Sequence, residues 1–232
     1  IAQVVGPSRA LAAVIEVTSA MYEPGVVERH SGHERSWFAV GAPDPRGSKN
    51  IPVAAALLEL AGVVERVDDI NSPKWMKLIL NAAELVPSAI LDLSIVETTK
   101  FKDMKAVMLA AGDEAVEAAK LLDYKIRPIF GMTGLDAASP ETFVKTILDE
   151  LAANYILPHS KSTVLQDWMK GRHSEVNELN GLVVKALEAH GQKAPTNQAV
   201  VEFALAIERG EKTRGIHNYG PLLERIAELK SS

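Results

Sequence analysis

A lysine and an asparagine stand four residues apart in SPKWMKLILNAAELVPSAIL, residues 72–91, a stretch otherwise dominated by leucine and alanine. At i and i+4 of a helix, Lys77 and Asn81 share one face, with Trp75, Leu78, Ile79 and Leu85 covering the neighbouring apolar surface. One reading is a surface lysine beside a solvent-facing asparagine. Against it stands LILNAA, which flanks Asn81 with apolar residues on both sides. A buried amide must find hydrogen-bond partners or cost about 1–3 kcal/mol. A polar pair kept in such company marks a cleft. There a partly desolvated ammonium can give a proton or a hydrogen bond to an oxygen on which negative charge develops.

A second stretch, STVLQDWMKGRHSEVNELNGLVVKALEAHGQKAPTN, covers residues 162–197. Ser160, Ser162 or Thr163 can cap its start, and an apolar stripe runs through Val176, Leu179, Val183, Ala186 and Leu187. Glu175, four residues before Leu179, borders that buried face. Asn180-Gly181 inside a helix costs roughly 1 kcal/mol for the glycine, which close helix–helix packing would explain. Asp167, Arg172 and His173 read as a solvated charged face, and Glu65, Asp68 and Asp69 as a solvated strand end. The histidines at 30, 33, 159, 173, 190 and 217 show neither an i, i+4 pair nor HExxH spacing, so no metal site is expected.

The elements that must position these residues fall into two parts. LAAVIEVTS (11–19), VVERHS (26–31), SWFAVG (36–41) and VVERVDDI (63–70) are strand candidates, with a turn at Pro24-Gly25. The short polar link GHER between the second and third predicts a hairpin. IPVAAALLELAG (51–62) predicts a helix closed by Gly62. From Pro73 onward apolar residues recur at three- and four-residue spacing, predicting helices over 73–91, 100–122, 140–157, 162–189, 196–208 and 220–230. The longest connection is 126–140, and Ser139-Pro140 is expected to start the helix after it. The plan is a short α/β piece followed by a helical domain, with a boundary near residue 72.

Composition excludes several classes. A 47% hydrophobic, 24% charged chain of 232 residues has the balance of a globular protein with a sizeable core. A net charge of −5 argues against a nucleic-acid partner. Charge interrupts every apolar run well short of about 18 residues, so no membrane span is expected. The absence of cysteine excludes disulfides and thiolate chemistry and makes a reducing cytoplasm the simplest location. The opening IAQVVGPSRA, without methionine or a signal pattern, reads as the middle of a domain and raises the expectation of a longer parent chain.

Together the two stretches resemble the ketopantoate reductase (2-dehydropantoate 2-reductase) family over nearly the whole chain. The family's W-x-K-L-x-x-N is present as Trp75, Lys77, Leu78 and Asn81. Its L-Q-D, T/S-E-[IV] and L-N-G are present as Leu165-Gln166-Asp167, Ser174-Glu175-Val176 and Leu179-Asn180-Gly181, and its P-x-N as Pro195-Thr196-Asn197. Upstream, Ala20 to His30 approximates the family's P-G-x-V and histidine, and VGAPD fits the strand after it. Near neighbours such as opine and hydroxyacid dehydrogenases share the two-domain plan but not this combination.

The resemblance implies the C-terminal part of an NADP-binding Rossmann domain over 1–72 and, over 73–232, a helical substrate domain like the C-terminal domain of 6-phosphogluconate dehydrogenase. The glycines of GPSRA and GMTG are not in the strand–loop–helix setting of a GxGxxG motif. About 100 preceding residues, which would carry that loop, are therefore expected in the parent. The implied activity is NADPH-dependent reduction of a 2-oxo acid, 2-dehydropantoate to pantoate in pantothenate and coenzyme A biosynthesis, requiring the full chain. Lys77 matches the general acid, and Glu175 the glutamate that holds the lysine and hydrogen-bonds the substrate hydroxyl. Asn81 would orient the lysine or bind substrate, and Thr163 stands where a serine contacts substrate. The family commonly has a second asparagine where this chain has Leu85, which leaves open a reductase for a more apolar keto acid. From another class, a helical binding module that self-associates as a homodimer and has lost catalysis is the alternative.

Overall fold

The structure is a computed structural model that describes residues 1–133, 138–154 and 157–232, with only the backbone at Tyr22. The chain divides into two compact units, Ile1–Lys77 with Ile126–Ser139, and Leu78–Lys125 with Pro140–Ser232.

In the first unit a short helix, α1 (Ala2–Val5), precedes β1 (Ala12–Glu16), β2 (Ser19–Glu23), β3 (Val26–Arg29) and β4 (Trp37–Gly41). Helix α2 (Ile51–Leu58) then leads to β5 (Val63–Arg66). The sheet order is β1-β4-β5, with β4 antiparallel to β1 and parallel to β5. β4 is central because WFAVG is apolar without alternation, and all five residues are buried. A parallel pair needs a crossover, which α2 supplies. The expected hairpin between 26–31 and 36–41 does not form. β3 pairs antiparallel with β2 across Pro24-Gly25, a tighter turn than GHER. The hairpin is tied back by Arg29, which donates to the Ser31 carbonyl at 2.8 Å and the Ser36 hydroxyl at 2.6 Å. Helix α2 ends at Leu58, short of the expected 62.

Helix α3 (Asn71–Ile90) begins where Asp69 accepts from the backbone N–H of Asn71 and Ser72 at 3.0 and 3.2 Å. Asp69 is therefore a capping residue and not merely a solvated strand end. α3 runs from the first unit into the second. Its Pro87 lacks the N–H that the Ala83 carbonyl would accept. Around that break, side chains bond the neighbouring carbonyls: Ser88 to Glu84 at 2.7 Å, Ser162 to Leu85 at 2.9 Å, and Asn180 to Ala82 at 2.9 Å.

The second unit continues with α4 (Ile95–Thr99), α5 (Lys102–Leu121), α6 (Phe143–Asn154), α7 (Thr163–Met169), α8 (Asn180–Glu188), α9 (Pro195–Glu208) and α10 (Tyr219–Ser231). Its core is built from Ile79, Leu80, Met104, Met108, Phe143 and Leu165, all fully buried. The helix expected from Ser139-Pro140 starts at Phe143 instead. Residues 155 and 156 of that expected helix, and 134–137 of the preceding connection, lie outside the described residues. The single helix expected over 162–189 is two, α7 and α8. Gly171, at φ +67°, takes the chain out of the helix just after Met169. Asn180-Gly181 consequently begins α8 and does not interrupt a helix. Gly181 makes no close helix–helix approach, since the nearest atoms to its missing side chain are 3.5 Å away on Asn177 and Val176.

Candidate active site

In the first unit the β1–β4 register sets Glu16 opposite Trp37. The Trp37 ring meets Phe130 edge-on, with centroids 5.6 Å apart and planes at 84°. Phe130, in turn, lies under the Lys77 ammonium, 5.0 Å from the ring centroid, and Lys77 forms an ion pair with Glu16. The Lys77 side chain is 24% exposed and that of Glu16 11%. The ammonium is thus largely withdrawn from water and held by one carboxylate and one aromatic face. A cation–π contact contributes about 0.5–2 kcal/mol, more as it is desolvated, and the ion pair fixes the direction of the side chain. Phe130 adopts φ +62°, a region bulky L-residues rarely enter. Such backbone is retained where surrounding packing over-determines it, often at functional sites.

One turn along α3, Asn81 is half-buried, and its amide makes no hydrogen bond among the described residues. Leu85, a further turn on, is buried at 8% exposure. Ser162 caps α7, accepting from the Leu165 N–H at 3.2 Å while donating to the Leu85 carbonyl. That anchor sets the exposed Thr163 as the first residue of α7, next to the capping serine.

Glu175 is exposed, on the connection between α7 and α8. Its carbonyl accepts from the N–H of Glu178 and Leu179 at 3.1 and 2.9 Å. Ser174 before it donates its N–H and its hydroxyl to Glu208 Oε1, at 2.8 and 2.7 Å. The same oxygen accepts from Trp168 Nε1 at 2.9 Å. Burial alone would push the Glu208 carboxyl up. The hydrogen bonds from Trp168, Ser174 and His173 outweigh it and hold the group below the ordinary glutamate value.

Lys77 therefore falls in the first unit, and Asn81, Thr163 and Glu175 in the second. Lys77 and Asn81 share a face of α3. Glu16, Phe130 and Glu208 were not singled out by sequence, because each acts through a partner at least 34 residues away. The asparagines of L-N-G and P-x-N are structural. Asn180 and Asn197 are fully buried, Asn180 donating to Asn197 at 2.8 Å and Asn197 to Glu114 at 2.6 Å.

A Rossmann domain holds the dinucleotide phosphate at its first β–α turn, and the parallel β–α step among the described residues here is β4 into α2. Here protein fills it, for a side chain on Gly47 would come within 2.8 Å of the Ala10 carbonyl. The residues present do not form a dinucleotide cradle at that step.

The first unit carries a parallel β–α–β step, and the second unit is helical. The fold is shared with D-mandelate dehydrogenase in its ternary structure with NADH and anilino(oxo)acetate, at TM-score 0.72 and 17% identity, over 90% of this chain and 63% of that one. Residues 69–208, more than half of the chain, match the family described as ketopantoate reductase PanE/ApbA C terminal, and the chain belongs to that family. A crystal structure of a PanE/ApbA family ketopantoate reductase from Ralstonia eutropha JMP134 is 28% identical at TM-score 0.67, over 86% of this chain and 59% of that one. The 2-dehydropantoate 2-reductase of Archaeoglobus fulgidus is 28% identical over 172 residues, 74% of this chain. The chain spans about half, 52%, of the length of that curated relative.

Proposed function

We propose that the chain is the C-terminal part of a longer NADPH-dependent reductase that converts a 2-oxo acid, in the first instance 2-dehydropantoate, to its 2-hydroxy acid. One observation carries this reading: the Lys77 ammonium is largely withdrawn from solvent against Glu16 and Phe130, on the helix that one turn later carries Asn81, whose amide bonds none of the described residues. Family membership and the names of the relatives support the substrate class.

Reduction of a ketone carbonyl places negative charge on its oxygen, and a positioned acid lowers that barrier. Lys77 gives the proton to that oxygen. Asn81 hydrogen-bonds the substrate or keeps the lysine in line. Glu175 accepts from the substrate hydroxyl, and the Thr163 hydroxyl contributes a further contact. Leu85, one turn beyond Asn81, is buried and offers the substrate no second amide. The dinucleotide, which supplies hydride, is held by the preceding part of the parent protein, and no residue of this chain is assigned to it.

The test is NADPH oxidation by the full-length parent against a panel of 2-oxo acids that includes 2-dehydropantoate. Turnover with at least one is expected. No turnover with any of them contradicts the reading.

A further inference from the structure

We infer that Glu208, in the last turn of α9, is the positioning residue that presents Glu175, an inference resting on the proposed role of Glu175 in contacting substrate. Between α7 and α8 the chain passes through ten residues outside any helix or strand, and Glu175 is among them. A connection of that kind does not by itself hold a side chain in place. Here one carboxylate oxygen gathers three donors: the indole N–H of Trp168 on α7, and the N–H and hydroxyl of Ser174. His173 Nδ1 lies 3.3 Å from the other oxygen. The N–H and hydroxyl of Ser174 together fix both its backbone and its rotamer. On the far side, the Glu175 carbonyl is held by the N–H groups of Glu178 and Leu179. The backbone at Glu175 is thus pinned before and after, and its side chain alone projects outward.

The nature of the pin points the same way. The Glu208 side chain is only 9% exposed, and among the described residues its sole ion-pair contact is His173, itself 86% exposed. Burying a carboxylate without a dedicated cation costs desolvation energy that an apolar residue would avoid. Charge-assisted hydrogen bonds return a defined geometry, being shorter and more directional than neutral ones. Arg172 and Arg214 line the same cavity of about 230 Å³ beside Glu208 without forming an ion pair with it. The carboxylate is therefore spent on Trp168 and Ser174.

The experiment uses the full-length parent reductase, with steady-state kinetics varied in 2-oxo acid and in NADPH. Glu208→Ala is expected to raise KM for the 2-oxo acid about tenfold, as misplacement of a substrate contact does, and to leave KM for NADPH unchanged. Glu208→Gln keeps the Oε1 acceptor and recovers most of that loss. Combined with Glu175→Ala, Glu208→Ala adds little, because both changes remove the same contact. Should Glu208→Ala fail to fold, Ser174→Ala removes one of the three donors to Oε1, the hydroxyl, and shifts KM in the same direction. A 2-oxo acid KM unchanged in both Glu208→Ala and Ser174→Ala, beside a defective Glu175→Ala, overturns this inference alone, as does full additivity of the double variant. An unchanged KM in Glu175→Ala overturns the role of Glu175 and the inference with it.

Discussion

Asn197 illustrates how a motif residue can be conspicuous in sequence and structural in place. Fully buried, its amide donates to the Ala111 carbonyl at 3.0 Å and to Glu114, and accepts from Asn180. Glu114 also accepts the N–H groups of Thr196 and Asn197, closing the start of α9. Asn197→Ala strands several of these groups and is expected to lower the stability of the second unit by about 2–3 kcal/mol. Chemical denaturation monitored by circular dichroism checks this, and a loss below about 0.5 kcal/mol contradicts it. Lys77 differs in kind, since its partners are a carboxylate and an aromatic ring. Its pairing with Asn81 was legible from spacing alone, because i and i+4 fix a common face whatever else the chain does. Glu16 was not legible, being 61 residues away in a strand that only the β1–β4 register brings to Trp37.

At the scale of elements, α9 and α10 are joined by Arg225, which donates to Glu202 at 2.7 and 3.1 Å. That guanidinium holds the Glu202 carboxyl below its ordinary value of 4.5, and Glu208 on the same helix is also lowered. A carboxyl depressed in the folded state contributes stability that is present above the unfolded value and lost as pH falls through the folded one. The urea midpoint of the second unit is accordingly expected to fall as pH drops below 4.5, less so in Glu202→Gln. An equal fall in both proteins contradicts the assignment to Glu202. Helix positions along the chain were read well where apolar spacing was unbroken, as in α3 and α5. The division of 162–189 was hidden because the apolar spacing resumes beyond Gly171 at a helical interval. The β2–β3 hairpin was missed because strand pairing depends on turn geometry and on the demand of β4 for two neighbours, neither of which periodicity encodes.

In the whole molecule, the first unit leaves apolar side chains exposed on α2, in the turn after it and at the start of β5. Val53, Leu57 and Leu60 are 66%, 64% and 81% exposed, and Val63 is 46% exposed. Val53 and Leu57, four residues apart on α2, share one exposed apolar face, a kind of surface that marks a contact site. On the proposed function, that face is covered in the parent by the rest of its nucleotide-binding domain. The chain alone is expected to bind the dye ANS, and Val53→Glu with Leu57→Glu to reduce the signal at least twofold. An unchanged signal contradicts that use of the face.

On the proposed function, Lys77 supplies the proton in reduction of a 2-oxo acid. Its most direct test is single-turnover oxidation of NADPH by the full-length parent and its Lys77→Ala variant. A fall of about 10²–10⁴-fold in the reduction rate is expected, with NADPH affinity unchanged. A variant that reduces the 2-oxo acid at the wild-type rate contradicts it.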